Sequence, residues 1–227
     1  ILEQEDKELE KIKDEEGDLR ITSTVESEKV LKDKIKELPI DKIPVIIAGG
    51  SFNKKGRTTN INEKGEKIIE GLVKQLDTQK VYFVIGHKLE GYEKAIVDAS
   101  KKYQKKFEID AIIPKMVNEE VKERLEDKEI TGVRISTESE ELGIYKSFNY
   151  EIFERRKAIV IAFDGNSPVS NLVQEAKNGK GKSKIYVNQE NEVLNEKVNS
   201  LEGYVVPFRL DENVVEKILI DNPELNN

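Results

Sequence analysis

The 227-residue sequence contains no cysteine, no tryptophan and a single histidine, His87. Without cysteine, the chain can form neither disulfide bonds nor metal sites with thiolate ligands. With one imidazole, a structural zinc site is effectively excluded, and a histidine-based catalytic triad has to use His87. We therefore expect no bound metal.

The sequence also lacks long apolar runs and any excess of positive charge. No stretch approaches the roughly 18 apolar residues of a membrane helix, and no signal peptide is visible. These absences favour a cytoplasmic protein with no membrane partner. The net charge of −7 argues against nonspecific nucleic-acid binding, although a local basic cleft stays compatible with it.

Residues 1–40 are rich in Glu and Lys. Within them, 3–15 and 25–37 carry a thin apolar stripe at helical spacing, which predicts two charged helices. Such a segment is a solvated linker, a partner-docking helix or a connector to an upstream domain. The first residue is Ile rather than Met, which favours the connector.

From residue 43 the pattern changes to strands that alternate with helices, which is typical of parallel pairing and right-handed crossovers. The strand segments are almost continuously apolar, as expected when helices cover both faces. We predict an α/β, Rossmann-like, mostly parallel sheet with helices on both faces, preceded by the charged helical segment. The predicted strands are 43–48, 81–86, 109–113, 132–136, 158–163 and 183–187, and the predicted helices are 61–76, 91–106, 117–126, 138–156 and 168–178.

One more apolar run, 203–208, precedes a predicted helix at 211–220. Pro207 has no backbone donor, so it makes this run an edge strand rather than a central one. The predicted divisions are a charged segment at 1–40 and a ligand-binding domain at 41–227, with its core at 43–187 and an extension at 188–227.

Three apolar stretches break into a turn rich in Gly, Ser or Asn and then open a helical pattern. They are 45–52 (VIIAGGSF), 81–91 (VYFVIGHKLEG) and 158–172 (AIVIAFDGNSPVSNL). A helix N-terminus after such a turn exposes backbone N–H groups and favours an anion. Because parallel strands end at the same edge, where open α/β folds bind ligands, the sequence predicts a nucleotide-like ligand.

The first turn contains Gly49 and Gly50, which tolerate positive φ and let a ligand approach the backbone closely. The loop 51–60 follows directly and concentrates hydroxyls and cations suited to phosphate, among them Ser51 and Arg57. A plain surface loop is the alternative interpretation.

The second turn contains Gly86 and His87, and His87 is interpreted either as a donor to phosphate or ribose or as an ordinary surface histidine. Glu90 and Glu93 lie near the start of the following helix. Carboxylates are favourable there, but they compete with an anionic ligand. We therefore expect ribose or base at this turn, rather than phosphate.

The third turn, DGNSP at 164–168, is the most specific of the three. Ser167 is predicted to cap the next helix and Pro168 to occupy its first position, so that the N–H groups of 169–171 face the ligand. Capping alone also explains the Ser-Pro pair. Arg134, at the end of a predicted strand, is a further cation candidate. The candidate ligand-binding residues here are Gly165, Asn166, Ser167 and Ser170.

The order of these motifs resembles the SLOG superfamily, named for Smf/DNA-processing proteins and LOG cytokinin-activating proteins. The matching pieces, which together span about 43–187, are 49–51 (GGS), 86–95 (GHKLEGYEKA), 154–160 (ERRKAIV), 165–168 (GNSP) and 181–187 (GKSKIYV). The resemblance implies a Rossmann-like sheet with a nucleotide site. A nucleoside deoxyribosyltransferase-like fold has a similar layout and stays open.

The resemblance has one departure with consequences for activity. LOG-type phosphoribohydrolases carry PGGxGTxxE in the last loop, and that Glu acts in glycosidic cleavage. Here the equivalent positions hold Ser170 and Asn171, and the first carboxylate inside the helix is Glu175. An anion loop without the carboxylate is what a binding module would look like.

SLOG modules of this kind are fused to effectors in bacterial antiphage systems such as Thoeris, where they resemble receptors for NAD-derived cyclic nucleotides. The resemblance thus implies a homo-oligomeric sensor that binds an NAD- or ADP-ribose-derived nucleotide, cyclic forms included, with no further cofactor. Its partners would be that small molecule and an upstream effector domain or partner chain.

An enzyme is the main alternative. It would be an N-glycosidase or a deoxyribosyltransferase that uses Asp164 or Glu175 as its carboxylate. A DNA-processing-like single-strand binder is a third possibility, and the net charge of −7 disfavours it.

Overall fold

The computed structural model describes residues 41–50, 61–86, 88–114, 119–135, 152–165, 167–201 and 203–225, together with 20–21, 34, 39 and 116–117. The predicted helices 3–15 and 25–37 lie outside the described residues, apart from Lys34 in the second. So does most of the predicted helix 138–156. Among the candidate site residues, Ser51, Arg57, His87 and Asn166 also lie outside them.

Seven parallel strands form one sheet. They are β1 (Ile43–Ala48), β2 (Val81–Gly86), β3 (Ile109–Ile113), β4 (Gly132–Ile135), β5 (Ile159–Ala162), β6 (Lys184–Asn188) and β7 (Val206–Phe208). Every pairing between neighbours is parallel, so the predicted α/β class is confirmed. A separate parallel pair of two-residue strands joins Arg20–Ile21 to Met116–Val117.

The strand order across the sheet is β4-β3-β2-β1-β5-β6-β7. The chain therefore builds outward from β1 to β4, returns past β1, and builds outward on the other side from β5 to β7. β1 pairs with β2 on one side and with β5 on the other. Ligands of open α/β sheets bind in the crevice at such a reversal, outside the carboxyl ends of the strands.

Helices cover both faces of this sheet. They are α1 (Glu63–Gln75), α2 (Gly91–Lys102), α3 (Glu119–Leu125), α4 (Ser167–Asn178), α5 (Glu192–Val198) and α6 (Val214–Asp221). The buried side chains of α1, α2, α3 and α6 belong to one apolar cluster, and those of α4 and α5 belong to a second. Among the described residues, no helix is long and apolar enough to cross a membrane.

Local chemistry explains where the elements differ from the prediction. Helix α2 ends at Lys102, four residues early, because Gln104 adopts φ +52° and the Lys105 N–H then donates to Ser100 O at 3.0 Å, which closes the helix end. The described end of the predicted helix 138–156 is not α-helical: residues 152–153 are π-helical and 154–155 form a turn.

The C-terminal extension joins the main sheet. Its strand β7 lies at the sheet edge with Pro207 inside it, so the predicted edge strand is confirmed. Helix α5 was not predicted.

Candidate functional site

The carboxyl ends of β1 and β5 lie side by side at the chain reversal. Ala48 pairs in register with Ala162, and the next residue, Phe163, donates its N–H to Ala48 O at 2.9 Å. One residue further, the Asp164 side chain crosses to the neighbouring turn, where its Oδ1 accepts the Gly50 N–H. The two predicted turns are therefore directly bonded to each other.

We call this part of the sheet edge the switch crevice, because open α/β sheets bind ligands at such a reversal. It is bounded by Gly49, Gly50, Asp164, Gly165 and the first turn of α4, residues 167–170. The sequence predicted ligand-binding roles for Gly49, Gly50, Gly165, Ser167 and Ser170. The structure places all of them at this one position on the sheet edge.

The first turn is fixed by backbone contact with the start of α2. Gly50 has φ +81° and Gly91 has φ +59°. A Cβ on Gly50 would lie 2.5 Å from Gly91 Cα, and a Cβ on Gly91 would lie 2.3 Å from Gly50 Cα. In addition, Tyr92 donates its N–H to Gly49 O at 3.2 Å. These glycines thus allow two chain segments to touch.

Two stacked aromatic rings lie behind the first turn. The Tyr92 and Phe163 rings are 4.2 Å apart and inclined by 18°. The Tyr92 hydroxyl accepts the Asn62 N–H at 3.1 Å, and burial raises the pKa of Tyr92. On the other side, Asn188 donates its Nδ2 to Phe163 O at 2.9 Å. Ring stacking and hydrogen bonds therefore hold the residues behind the crevice in place.

Carboxylate oxygens accept the backbone N–H groups of the first two turns. Asp164 takes the Gly50 N–H, as described. At the end of β2, the buried Glu93 accepts the Gly86 N–H on Oε1 at 3.0 Å, and a Cβ on Gly86 would lie 2.5 Å from that oxygen. Gly86 is therefore adjacent to the crevice, but its amide is bonded within the protein.

The first turn of α4 supplies the backbone donors of the crevice. The helix begins at Ser167, one residue earlier than predicted, so Ser167 is its first residue and not its cap. Consequently 170–171 lie deep enough to bond within the helix, and Pro168 has no N–H. Among the described residues at this helix start, Ser167 and Val169 have amides that the helix itself does not bond. Gly165 has φ +146° and packs against the Val169 side chain. A Cβ on Gly165 would lie 2.3 Å from Val169 Cγ2.

A lysine that the sequence analysis missed lies beside these amides. Lys197 in α5 places its Nζ 3.5 Å from Ser167 Oγ. The available sequence signal was the start of α5, where Asn191 caps the helix by accepting the Leu194 N–H at 2.9 Å and Glu192 lies in the first turn. Lys197 adds positive charge at the helix end that already favours anions.

Two predicted residues are not brought to the crevice. Arg134 lies on β4 at the sheet edge, three strand spacings from β1, which is about 14 Å. Its charge instead acts on Tyr82, where burial raises the hydroxyl pKa and Arg134 counteracts this. Glu175 lies eight residues after Ser167, about 12 Å along the helix axis. The predicted assisting role of Arg134 and a catalytic role of Glu175 are both disfavoured by these positions.

Asp164 is the remaining candidate carboxylate, and it is partly buried at the crevice. Burial raises its pKa, although the Gly50 N–H acts in the opposite direction. Within the described ranges, no group of three or more Asp, Glu or His side chains is placed to hold a metal ion. The crevice therefore offers two amides, a lysine and a carboxylate, a set suited to the phosphate and ribose of a nucleotide.

No family model matches the sequence, and no curated protein matches it. Evidence for function therefore comes from the fold and from the residues of the crevice.

The raised pKa of Asp164 leads to a pH-dependent prediction. A group whose folded-state pKa lies above its unfolded value of about 3.9 stabilises the fold below that value, and this stability is lost as the pH rises through the folded-state pKa. Asp164→Asn keeps an acceptor for Gly50 N–H and removes the charge. We expect the variant to be more stable than the native protein at pH 7, with the difference vanishing near pH 3.5.

Urea unfolding at both pH values measures this difference. Asp98→Asn, an exposed carboxylate on α2 paired with Lys94, serves as the matched control. A destabilised Asp164→Asn protein at pH 7, with a deficit that does not change with pH, would contradict the assigned direction.

Proposed function

We propose that this protein is a nucleotide-sensing regulatory domain. Its switch crevice binds an NAD- or ADP-ribose-derived nucleotide, and binding controls an attached effector. The observation that carries the proposal is the chain reversal between β1 and β5, where a glycine turn and a helix N-terminus meet. The nature of the ligand and the effector follows from the SLOG resemblance.

The crevice favours binding over catalysis. Glycosidic cleavage requires a carboxylate positioned to attack or protonate at the anomeric centre. Glu175 lies about 12 Å along α4 from the crevice, and Asp164 is already bonded to Gly50 N–H. Ser170 and Asn171 occupy the positions where the enzymes of this resemblance carry their Glu.

One observation favours an N-glycosidase as the second candidate. Burial raises the pKa of Asp164, and a raised pKa is the property that a general acid requires. In this alternative, Asp164 protonates the leaving base, and Asp164→Asn abolishes turnover.

Contacts of the first turn support a regulatory role. Gly49 and Gly50 touch the start of α2 through backbone alone. A ligand that binds one position of this turn more tightly than another also biases the position of α2, since a ligand shifts an equilibrium only by its differential affinity. Helix α2 would pass the signal to the effector or to a neighbouring protomer.

A thermal-shift screen with product analysis tests the proposal. The probes are NAD, ADP-ribose, cyclic ADP-ribose, AMP and deoxynucleosides. At a hundredfold excess over Kd, we expect a rise in Tm of roughly 5–10 °C with the ligand recovered intact. Release of free base would identify the enzyme instead, and no shift with any probe would contradict nucleotide binding.

Lys197 is expected to contribute through its charge. Lys197→Gln should weaken ADP-ribose binding about five- to tenfold, as for the loss of one exposed charge-assisted hydrogen bond. The loss should shrink at high salt. Lys180→Gln is the control, because Lys180 is exposed and paired with Glu154 at 3.6 Å. Titration calorimetry at two salt concentrations measures both, and equal effects of the two variants would exclude a specific contact.

A further inference from the structure

The amides that the first two glycine turns would offer to a phosphate are already bonded to carboxylates. Asp164 Oδ1 accepts the Gly50 N–H, and Glu93 Oε1 accepts the Gly86 N–H at 3.0 Å. An anion seated at either amide would have to displace a carboxylate of the protein. These two turns therefore carry negative charge at the carboxyl edge, where the sequence predicted cations and hydroxyls suited to phosphate at the first turn.

Neighbouring residues of the fold fix the position of the Asp164 carboxylate. A Cβ on Gly49 would lie 2.8 Å from both Asp164 N and Asp164 Oδ1, so the absence of a side chain at Gly49 leaves room for this group. Phe163, directly before it, is held by Ala48 O and by Asn188. The carboxylate is thus set between β1 and β5 by neighbours on both sides.

An ionised carboxylate is an acceptor with about four lone-pair sites. The Gly50 N–H uses one site on Oδ1, and Asp164 keeps part of its surface exposed. A hydroxyl group of a ligand donates to such an acceptor, whereas a phosphate oxygen is repelled by it, most strongly in a partly desolvated cleft.

We infer that the β1 side of the switch crevice binds the hydroxyls of a ribose, and that Asp164 is the residue that selects them. The inference rests on the proposed function, and it specifies which part of the nucleotide meets which turn. A ligand without a ribose hydroxyl at this position leaves the carboxylate without its partner.

Equilibrium binding of ADP-ribose and of its analogues that each lack one ribose hydroxyl tests the inference. For the native protein, we expect at least one analogue to bind tenfold more weakly or worse. In Asp164→Asn, the amide oxygen can keep the Gly50 N–H while the amide nitrogen only donates. This variant should bind ADP-ribose about tenfold more weakly, and removal of the same hydroxyl should then have less than a threefold effect, as in a double-mutant cycle.

Asp98→Asn, on the exposed face of α2, is the matched control and should keep the native preference. The native protein with the analogues decides the question even where Asp164→Asn fails to fold. Equal affinity for all analogues overturns the inference and leaves the sensor intact. Tighter binding of ADP-ribose and inorganic phosphate by Asp164→Asn also overturns it, since that result identifies a phosphate position at Gly50. If no nucleotide binds the native protein, the proposed function itself fails.

Discussion

Gly91→Ala is expected to destabilise the protein by about 3–5 kcal/mol, and Gly50→Ala by a similar amount. Each residue has positive φ, which disfavours a side chain. In addition, a new Cβ on Gly91 would lie 2.3 Å from Gly50 Cα, a distance that requires the turn or α2 to move. Such a loss is a large part of the stability of an ordinary domain, about 5–15 kcal/mol.

Gly203→Ala separates the two causes. Gly203 also has positive φ, at +86°, but a Cβ there meets nothing within 4 Å. This variant should therefore lose only the conformational part, about 1–2 kcal/mol. Urea unfolding of the three variants gives the comparison. If Gly91→Ala were no worse than Gly203→Ala, the first turn would not be held against α2 as described.

Ser170→Glu is expected to lower ADP-ribose affinity at least a hundredfold without loss of stability. A helical side chain leans toward the helix N-terminus, so the new carboxylate would compete for the amides of Ser167 and Val169. The same carboxylate interacts favourably with the helix dipole, by about 0.3–1 kcal/mol. Loss of binding together with unchanged or raised Tm distinguishes a blocked site from a damaged fold.

Gln174→Glu is the control in the same helix. Gln174 lies four residues further along α4, about 6 Å along the axis and on the same side of the helix. It adds the same charge one turn away, and we expect less than a threefold change in affinity. Titration calorimetry compares the two variants. Normal binding by Ser170→Glu would mean that the ligand does not use the start of α4.

The sheet could be predicted because its chemistry is local. Strands β1, β2, β3 and β5 are buried along nearly their whole length. A strand that is buried on both faces can be recognised in the sequence as a continuous apolar run. Strand order is a non-local property that apolar runs do not encode. The sequence therefore predicted ligand contacts at all three turns, whereas only β1 and β5 flank the reversal and the Glu93 carboxylate accepts the Gly86 N–H at the turn after β2.

The same limit explains the individual residues. Arg134 lies in a predicted strand, but its distance from the crevice depends on β4 being an edge strand. The hydrogen bond from Gly50 N–H to Asp164 joins residues 114 positions apart, so no local sequence pattern predicts it. Lys197 was missed because α5 has only seven residues, too few to give a clear helical period. What the sequence did identify was the set of glycines and serines whose local turn chemistry is distinctive.

Hydrogen–deuterium exchange of the protein with and without ADP-ribose tests the central claim most directly. Binding in the switch crevice predicts slower exchange in peptides that cover 43–50 and 159–173, with smaller changes at the start of α2. Slower exchange confined to the groove between α1 and the loop before α6, which Lys67 and Asn213 help to line, would place the ligand elsewhere and contradict the account.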